Sequence, residues 1–157
     1  CMPILFADKR KRFVAAVHCG RRGLEKKIIK NLIQKFDDFG SNREDILVAI
    51  GPSISKKNYL VDKKTLKEFI KNIFSKELSS SKNLLKEKLY LISSNNPKEA
   101  NLNHLNLRKF AHMQLLNENI PNTNIDISNL CTFEAKEEFN SWRRNRTSSR
   151  QWNFIST

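Results

Sequence analysis

Two apolar runs separated by a charged turn open the chain. Residues 3–7 read as a buried strand, residues 8–12 as the turn, and residues 13–17 as a strand covered on both faces. Paired as a hairpin, they bring Cys1 and His18 to one end of a sheet, because the start of one antiparallel strand lies beside the end of the next. The period then changes. Leu24, Ile28, Ile29, Leu32, Ile33, Phe36 and Phe39 recur at helical spacing with lysines opposite, which predicts a helix over 24–39 stopped by Gly40. A buried strand over 46–50 ends at Gly51-Pro52, and a short strand follows over 59–61. Leu66, Phe69, Ile70, Ile73 and Phe74 predict a helix over 63–74. Residues 78–86 read as a loop, 88–92 as a strand and 93–103 as a polar connection. A helix over 105–116 faces inward with Leu107, Phe110, Ala111 and Leu115. Strands over 124–127 and 152–155 close the chain. Strands alternating with amphipathic helices argue for an α/β fold, a sheet covered by helices.

Composition agrees with a packed protein. The chain has 157 residues, 39% of them hydrophobic and ten of them Phe, enough for one domain with a real core. The chain begins at Cys1, inside a predicted strand, so an N-terminal portion is expected to be missing. No apolar run nears the ~18 residues of a membrane span, and the expected location is the cytoplasm. Three irregularly spaced cysteines do not make a disulfide framework. The net charge of +13 raises nucleic acid as a partner, but its lysines are spread along the chain, and the aromatic interleaving of a single-strand binder is missing.

Candidate chemistry concentrates where the second strand ends. His18 is followed by Gly20-Arg21-Arg22-Gly23, where a glycine loop and a helix start suit an anion. Cys1 and His18 could share a zinc ion or act as nucleophile and base, the latter making a thiol hydrolase. A second basic stretch, Ser141 to Gln151, carries Arg143, Arg144, Arg146 and Arg150 among hydroxyls and reads as an anion site or a solvated loop. His104 and His112 lack the i, i+4 metal spacing and read as surface or partly buried side chains. Cys19 points away from the His18 face, and Cys131 reads as a packed small residue.

These residues carry a resemblance. Cys1-Met2-Pro3, Ala15-Ala16-Val17-His18-Cys19-Gly20-Arg21-Arg22-Gly23, Ile50-Gly51-Pro52-Ser53-Ile54 with Tyr59, Cys131-Thr132, Phe139-Asn140-Ser141-Trp142-Arg143-Arg144 and Ser149-Arg150-Gln151 occur in order. The chain resembles the C-terminal part of the multicopper polyphenol oxidase, or laccase-like, family, now described as multifunctional purine nucleoside phosphorylases. It departs from that pattern at Arg21, where the family has Trp, and at Ser55 and Ser149, where it has Gly. The family's third metal residue, a histidine nearer the N-terminus, is not in this sequence. The resemblance implies a layered sandwich of mixed β-sheets flanked by helices. It implies phosphorolysis of adenosine, inosine and methylthioadenosine, with adenosine deaminase activity at a Cys/His metal site. The implied metal is zinc, with copper as the alternative, ligated by Cys1 and His18, which are also the implied catalytic residues. Arg22, Tyr59, Ser141, Arg144 and Gln151 are the implied phosphate and substrate contacts. A laccase-like copper oxidoreductase and a basic nucleic-acid-binding module are the alternative functions, and the sequence sets no oligomeric state.

Overall fold

The computed structural model describes residues 1–73, 102–146 and 148–157. The chain forms two compact units: Cys1–Ser55 with Leu107–Thr157, and Lys56–Asn106.

The first unit is built on a four-stranded sheet. Strand β1 (Met2–Asp8) pairs antiparallel with β2 (Phe13–Cys19) on one side and with β3 (Ile46–Ile50) on the other. β6 (Ile125–Ile127) then joins β3 in parallel, giving the order β2-β1-β3-β6. The expected hairpin is therefore present, one or two residues longer at its ends than the apolar runs. Alternation sorts its side chains. Met2, Ile4 and Phe6 face one side with Cys19, Ile46, Val48 and Ile50, all buried. Pro3, Leu5 and Ala7 face the other side with Ala16 and His18. Among the described residues β2 is thus covered on one face, where two were expected.

The helix expected over 24–39 is broken. α1 (Arg21–Glu25) stops, Lys27 takes a left-handed conformation at φ 56°, and α2 (Ile28–Asp38) starts again. Leu24 and Ile29 would lie about 140° apart on one continuous helix. The break turns both into the core, where both are fully buried. Gly40 ends α2 as expected, at φ 72°, with Ser41 N–H donating to the Phe36 carbonyl at 2.9 Å. Phe39 was expected to face inward but lies past the helix end, 60% exposed, against the Phe13 ring at 4.5 Å. α4 (Leu107–Asn117) buries Leu107, Phe110, Ala111 and Leu115, as the sequence predicts.

In the second unit β4 (Leu60–Asp62) pairs antiparallel with β5 (Leu102–His104), next to α3 (Lys63–Ile73). Leu66 and Phe69 are the buried residues of α3. β5 replaces the end of the expected polar connection; Asn103 is buried there, and its neighbours pair with β4. Phe74, the loop over 78–86 and the strand over 88–92 lie outside the described residues.

The expected strand over 152–155 is not formed. Those residues are irregular, and no described strand pairs with them. A further helical turn, α5 (Trp142–Asn145), precedes them. Among the described residues no helix is long and apolar enough to cross a membrane.

The core centres on Phe36, fully buried, with its ring 4.6 Å from Phe13 and 6.1 Å from Phe6. Phe36→Ala should cost about 3–5 kcal/mol, read as a lower urea midpoint with an unchanged slope.

Candidate functional site

The start of β1 and the ends of β2, β3 and β6 meet at one end of the sheet. This follows from the register: Pro3 lies opposite His18, and Met2 opposite Cys19. Cys1 therefore falls opposite Gly20, on the same face as His18 and diagonal to it. Diagonal cross-strand neighbours stand about 7–8 Å apart. A Cβ at Gly20 would come within 2.6 Å of the Cys1 sulfur, so any other residue there would push the Cys1 side chain aside. Gly51 plays the same part beside Pro3, where a Cβ would meet the ring at 2.7 Å. Two glycines thus let three chain segments close around Cys1, Pro3 and His18.

Cys1 and His18 are both exposed. Partial burial lowers the pKa of His18, and nearby positive charge, Arg150 included, lowers it further. Neutral imidazole is the form that binds metal or accepts a proton. Cys19, on the opposite face, is fully buried, and burial pushes its thiol up to about 12. It is a core residue. A thiolate and an imidazole are the right donor types for zinc or copper. Among the described residues, however, no group of three His, Cys, Asp or Glu side chains is placed to hold a metal ion. Cys1 and His18 make two corners of a site, fewer than the three protein ligands of a catalytic zinc.

The two arginines of the glycine loop differ. Arg21 pairs with Glu25 one turn on. Arg22 is exposed in the first turn of α1, and no described residue pairs with its guanidinium. Arg144 is committed to the backbone. Its Nη1 donates to the carbonyls of Thr132 at 2.9 Å and Phe133 at 2.8 Å, and its Nη2 to that of Phe139 at 2.6 Å. Ser141 is buried, and its carbonyl accepts the N–H groups of Arg144 and Asn145. Gln151 donates from Nε2 to the Asn140 carbonyl at 2.8 Å. Tyr59 lies in the second unit, where its carbonyl accepts the Leu105 N–H at 2.9 Å. His104 Nδ1 lies 3.1 Å from the Lys56 carbonyl, and His112 Nε2 lies 2.7 Å from Asn122 Oδ1.

Three more arginines bear on this end: two were read in the sequence only as part of the basic stretch 141–151, and one was missed. Arg143 is within electrostatic reach of the start of β1, and Arg150 of His18. In the sequence nothing separates Arg143 from Arg144. On α5, adjacent residues point about 100° apart, so one arginine holds a loop while its neighbour's charge reaches Cys1. The third is Arg108 on α4. It donates to the Ser53 hydroxyl at 2.8 Å, to the Ser53 carbonyl at 2.6 Å and to the Leu130 carbonyl. This joins the loop after β3 to the loop after β6, where Ser55 N–H also reaches the Cys131 sulfur at 3.2 Å. Burial raises the Cys131 pKa, but that hydrogen bond and others from Glu134 and Phe133 outweigh it and bring it below the ordinary thiol value.

Over residues 1–157 the sequence matches the family described as multi-copper polyphenol oxidoreductase laccase. The chain belongs to this family. It is 30% identical over 145 residues to a purine nucleoside phosphorylase of Bacteroides thetaiotaomicron, covering 92% of this chain and 48% of that protein. It is 31% identical over 160 residues to a purine nucleoside phosphorylase of Synechocystis, covering 99% of this chain and 60% of that one. The crystal structure of the hypothetical protein YfiH of Bacillus licheniformis superimposes with a TM-score of 0.76 at 28% identity, over 93% of this chain and 50% of that one. The mixed α/β fold is therefore a shared one. The chain spans about half the length of the relatives it matches.

Thiol labelling of the native protein should modify Cys1 first and Cys131 slowly, with Cys19 reacting only after unfolding; mass spectrometry of the labelled peptides reads the order. In an NMR titration the His18 ring should change charge below the ordinary histidine midpoint of 6.5. A midpoint at or above that value would contradict the burial and charge around it.

Proposed function

We propose that this chain forms part of a purine nucleoside phosphorylase that cleaves adenosine, inosine and methylthioadenosine with phosphate, and deaminates adenosine. The observation that carries the reading is the meeting of Cys1 and His18 on one sheet face, with arginine charge beside them. The names of its relatives support the phosphorylase class.

In phosphorolysis a phosphate oxygen forms a bond to the ribose C1′ as the bond from C1′ to the base nitrogen breaks. The base departs with that electron pair and takes up a proton. Arg22, Arg143 and Arg150 supply positive charge for the phosphate, and a fixed nucleophile lowers the barrier by orientation. The proton that dihydrogen phosphate releases as it attacks passes to solvent, because His18, held neutral, keeps its acceptor nitrogen for the metal. Arg144 acts from behind: it holds the chain from Thr132 to Phe139, and a direct phosphate contact would require it to give up those carbonyls. Ser141 starts the α5 turn that carries Arg144, and Gln151 ties down Asn140, while Tyr59 is a substrate contact on the family pattern alone.

Zinc is the metal we assign to Cys1 and His18, where it would supply an activated water for deamination, with a pKa near ~7. The family's own description favours a second reading, a copper oxidoreductase. Cytoplasmic location is in keeping with three free thiols.

The test is incubation of the protein with adenosine and phosphate, with elemental analysis of the same sample. Adenine, ribose 1-phosphate and inosine are expected, with bound zinc. His18→Ala should remove the bound zinc and, with it, the inosine formed by deamination. Arg22→Ala should raise the KM for phosphate more than that for adenosine. Bound copper with oxidation of a phenol, and no nucleoside cleavage, would favour the second reading.

A further inference from the structure

We propose that the outer face of the four-stranded sheet docks a second polypeptide layer, of the kind the relatives carry in the half of their sequence that this chain does not match. β1, β2 and β3 are apolar on both sides through their middles: they read Met-Pro-Ile-Leu-Phe-Ala-Asp, Phe-Val-Ala-Ala-Val-His-Cys and Ile-Leu-Val-Ala-Ile. An antiparallel sheet with one face in water alternates apolar with polar residues instead. The core takes one side of each strand. The register gathers Leu5, Ala7, Val14, Ala16, Leu47 and Ala49 on the other side, in two cross-strand rows, Val14-Ala7-Leu47 and Ala16-Leu5-Ala49. Ala16, Leu47 and Ala49 are exposed, and the other three are half-buried. A contiguous apolar surface of this kind marks a contact with further polypeptide.

Charge narrows the choice of occupant. The chain carries 29 Lys and Arg, and none stands in these rows. Where a face does meet water the chain is polar: Lys30, Asn31, Gln34, Lys35 and Asp38 are all exposed on α2. The sheet face therefore gives a polyanion no cation to hold. A second copy of this chain is a poor occupant, because the net charge of +13 on each molecule repels the other. The relatives carry a better one. The shared fold covers 93% of this chain but 50% of the YfiH structure, and the Bacteroides relative is matched over 48% of its length. About half of each of those molecules thus lies outside the part shared with this chain. The small side chains of Ala7, Ala16 and Ala49 let a second layer approach to the ~10 Å spacing of stacked sheets, with Leu5 and Leu47 as the larger side chains that interdigitate with it. The rows run on to Pro3 and His18, so the docked layer extends to the Cys1–His18 end of the sheet.

The test co-expresses this chain with the part of the Bacteroides relative that lies outside the match, which carries the only affinity tag. Co-purification is expected, with sedimentation showing a complex of one copy of each. Leu47→Lys and Ala16→Lys each place a charge on the docking face. Each should weaken the complex at least ~100-fold, the scale of leaving a buried charge unpaired. Leu47 and Ala16 are exposed in this chain, so the urea midpoint of each variant alone should match that of the parent. Lys30→Glu, on the solvated face of α2, should leave the complex unchanged. No complex, or one that both lysine variants form equally well, overturns the proposal. A complex that Lys30→Glu abolishes also overturns it, because the contact is then electrostatic and elsewhere. Self-association of this chain alone, lost in Leu47→Lys, would identify a second copy as the occupant and overturn it too.

Discussion

The two-sided pairing of β1 fixes everything else in the first unit. This strand is hydrogen-bonded to β2 on one edge and to β3 on the other, in a register that runs its full length against β2. A slip of one residue would turn Met2, Ile4 and Phe6 out of the core and reverse the faces of all their neighbours. The same register places Cys1 opposite Gly20 and Pro3 opposite His18. Packing and chemistry therefore depend on one alignment: the buried face secures it, and the exposed face uses it. Gly20 and Gly51 then allow the strand ends to close together at the chemical end.

Beyond the strands, arginines take over the task that sheet hydrogen bonds perform inside them. The segments after β3 and β6 have little regular structure, and their carbonyls need donors. Arg108 serves Ser53 and Leu130, while Arg144 serves Thr132, Phe133 and Phe139. A guanidinium suits this because its several N–H groups lie in one plane and can reach two or three carbonyls at once. Part of the large basic excess is thus built into the fold. The arginines whose charge reaches the site, Arg143 and Arg150, stand next to residues with such anchoring roles.

The sequence revealed those parts of the fold whose pattern reports burial directly. The hairpin, β3 and the inward face of α4 could be read because apolar runs and helical spacing follow from which side chains leave water. The break at Lys27 could not, since lysine carries no signature of a left-handed conformation and the apolar positions continue across it. Trp152 and Phe154 misled for a related reason: aromatic alternation fits a strand, but a strand also needs a partner, which alternation does not supply. At the site, Cys1 and His18 could be paired from hairpin logic alone. The division of labour between Arg143 and Arg144 is set by the orientation of a single helical turn, and composition is blind to it.

Ser53 and Arg108 have a further importance as neighbours in space that are far apart along the chain. Between Ser55 and Leu107 the polypeptide leaves the first unit and returns, and the Arg108–Ser53 contact pins the neck of that excursion. With its neck fastened, the excursion enters and leaves the first unit at one place, whatever strands and helix it carries between. A single inserted residue in β1, by contrast, would dismantle the register on which the site depends.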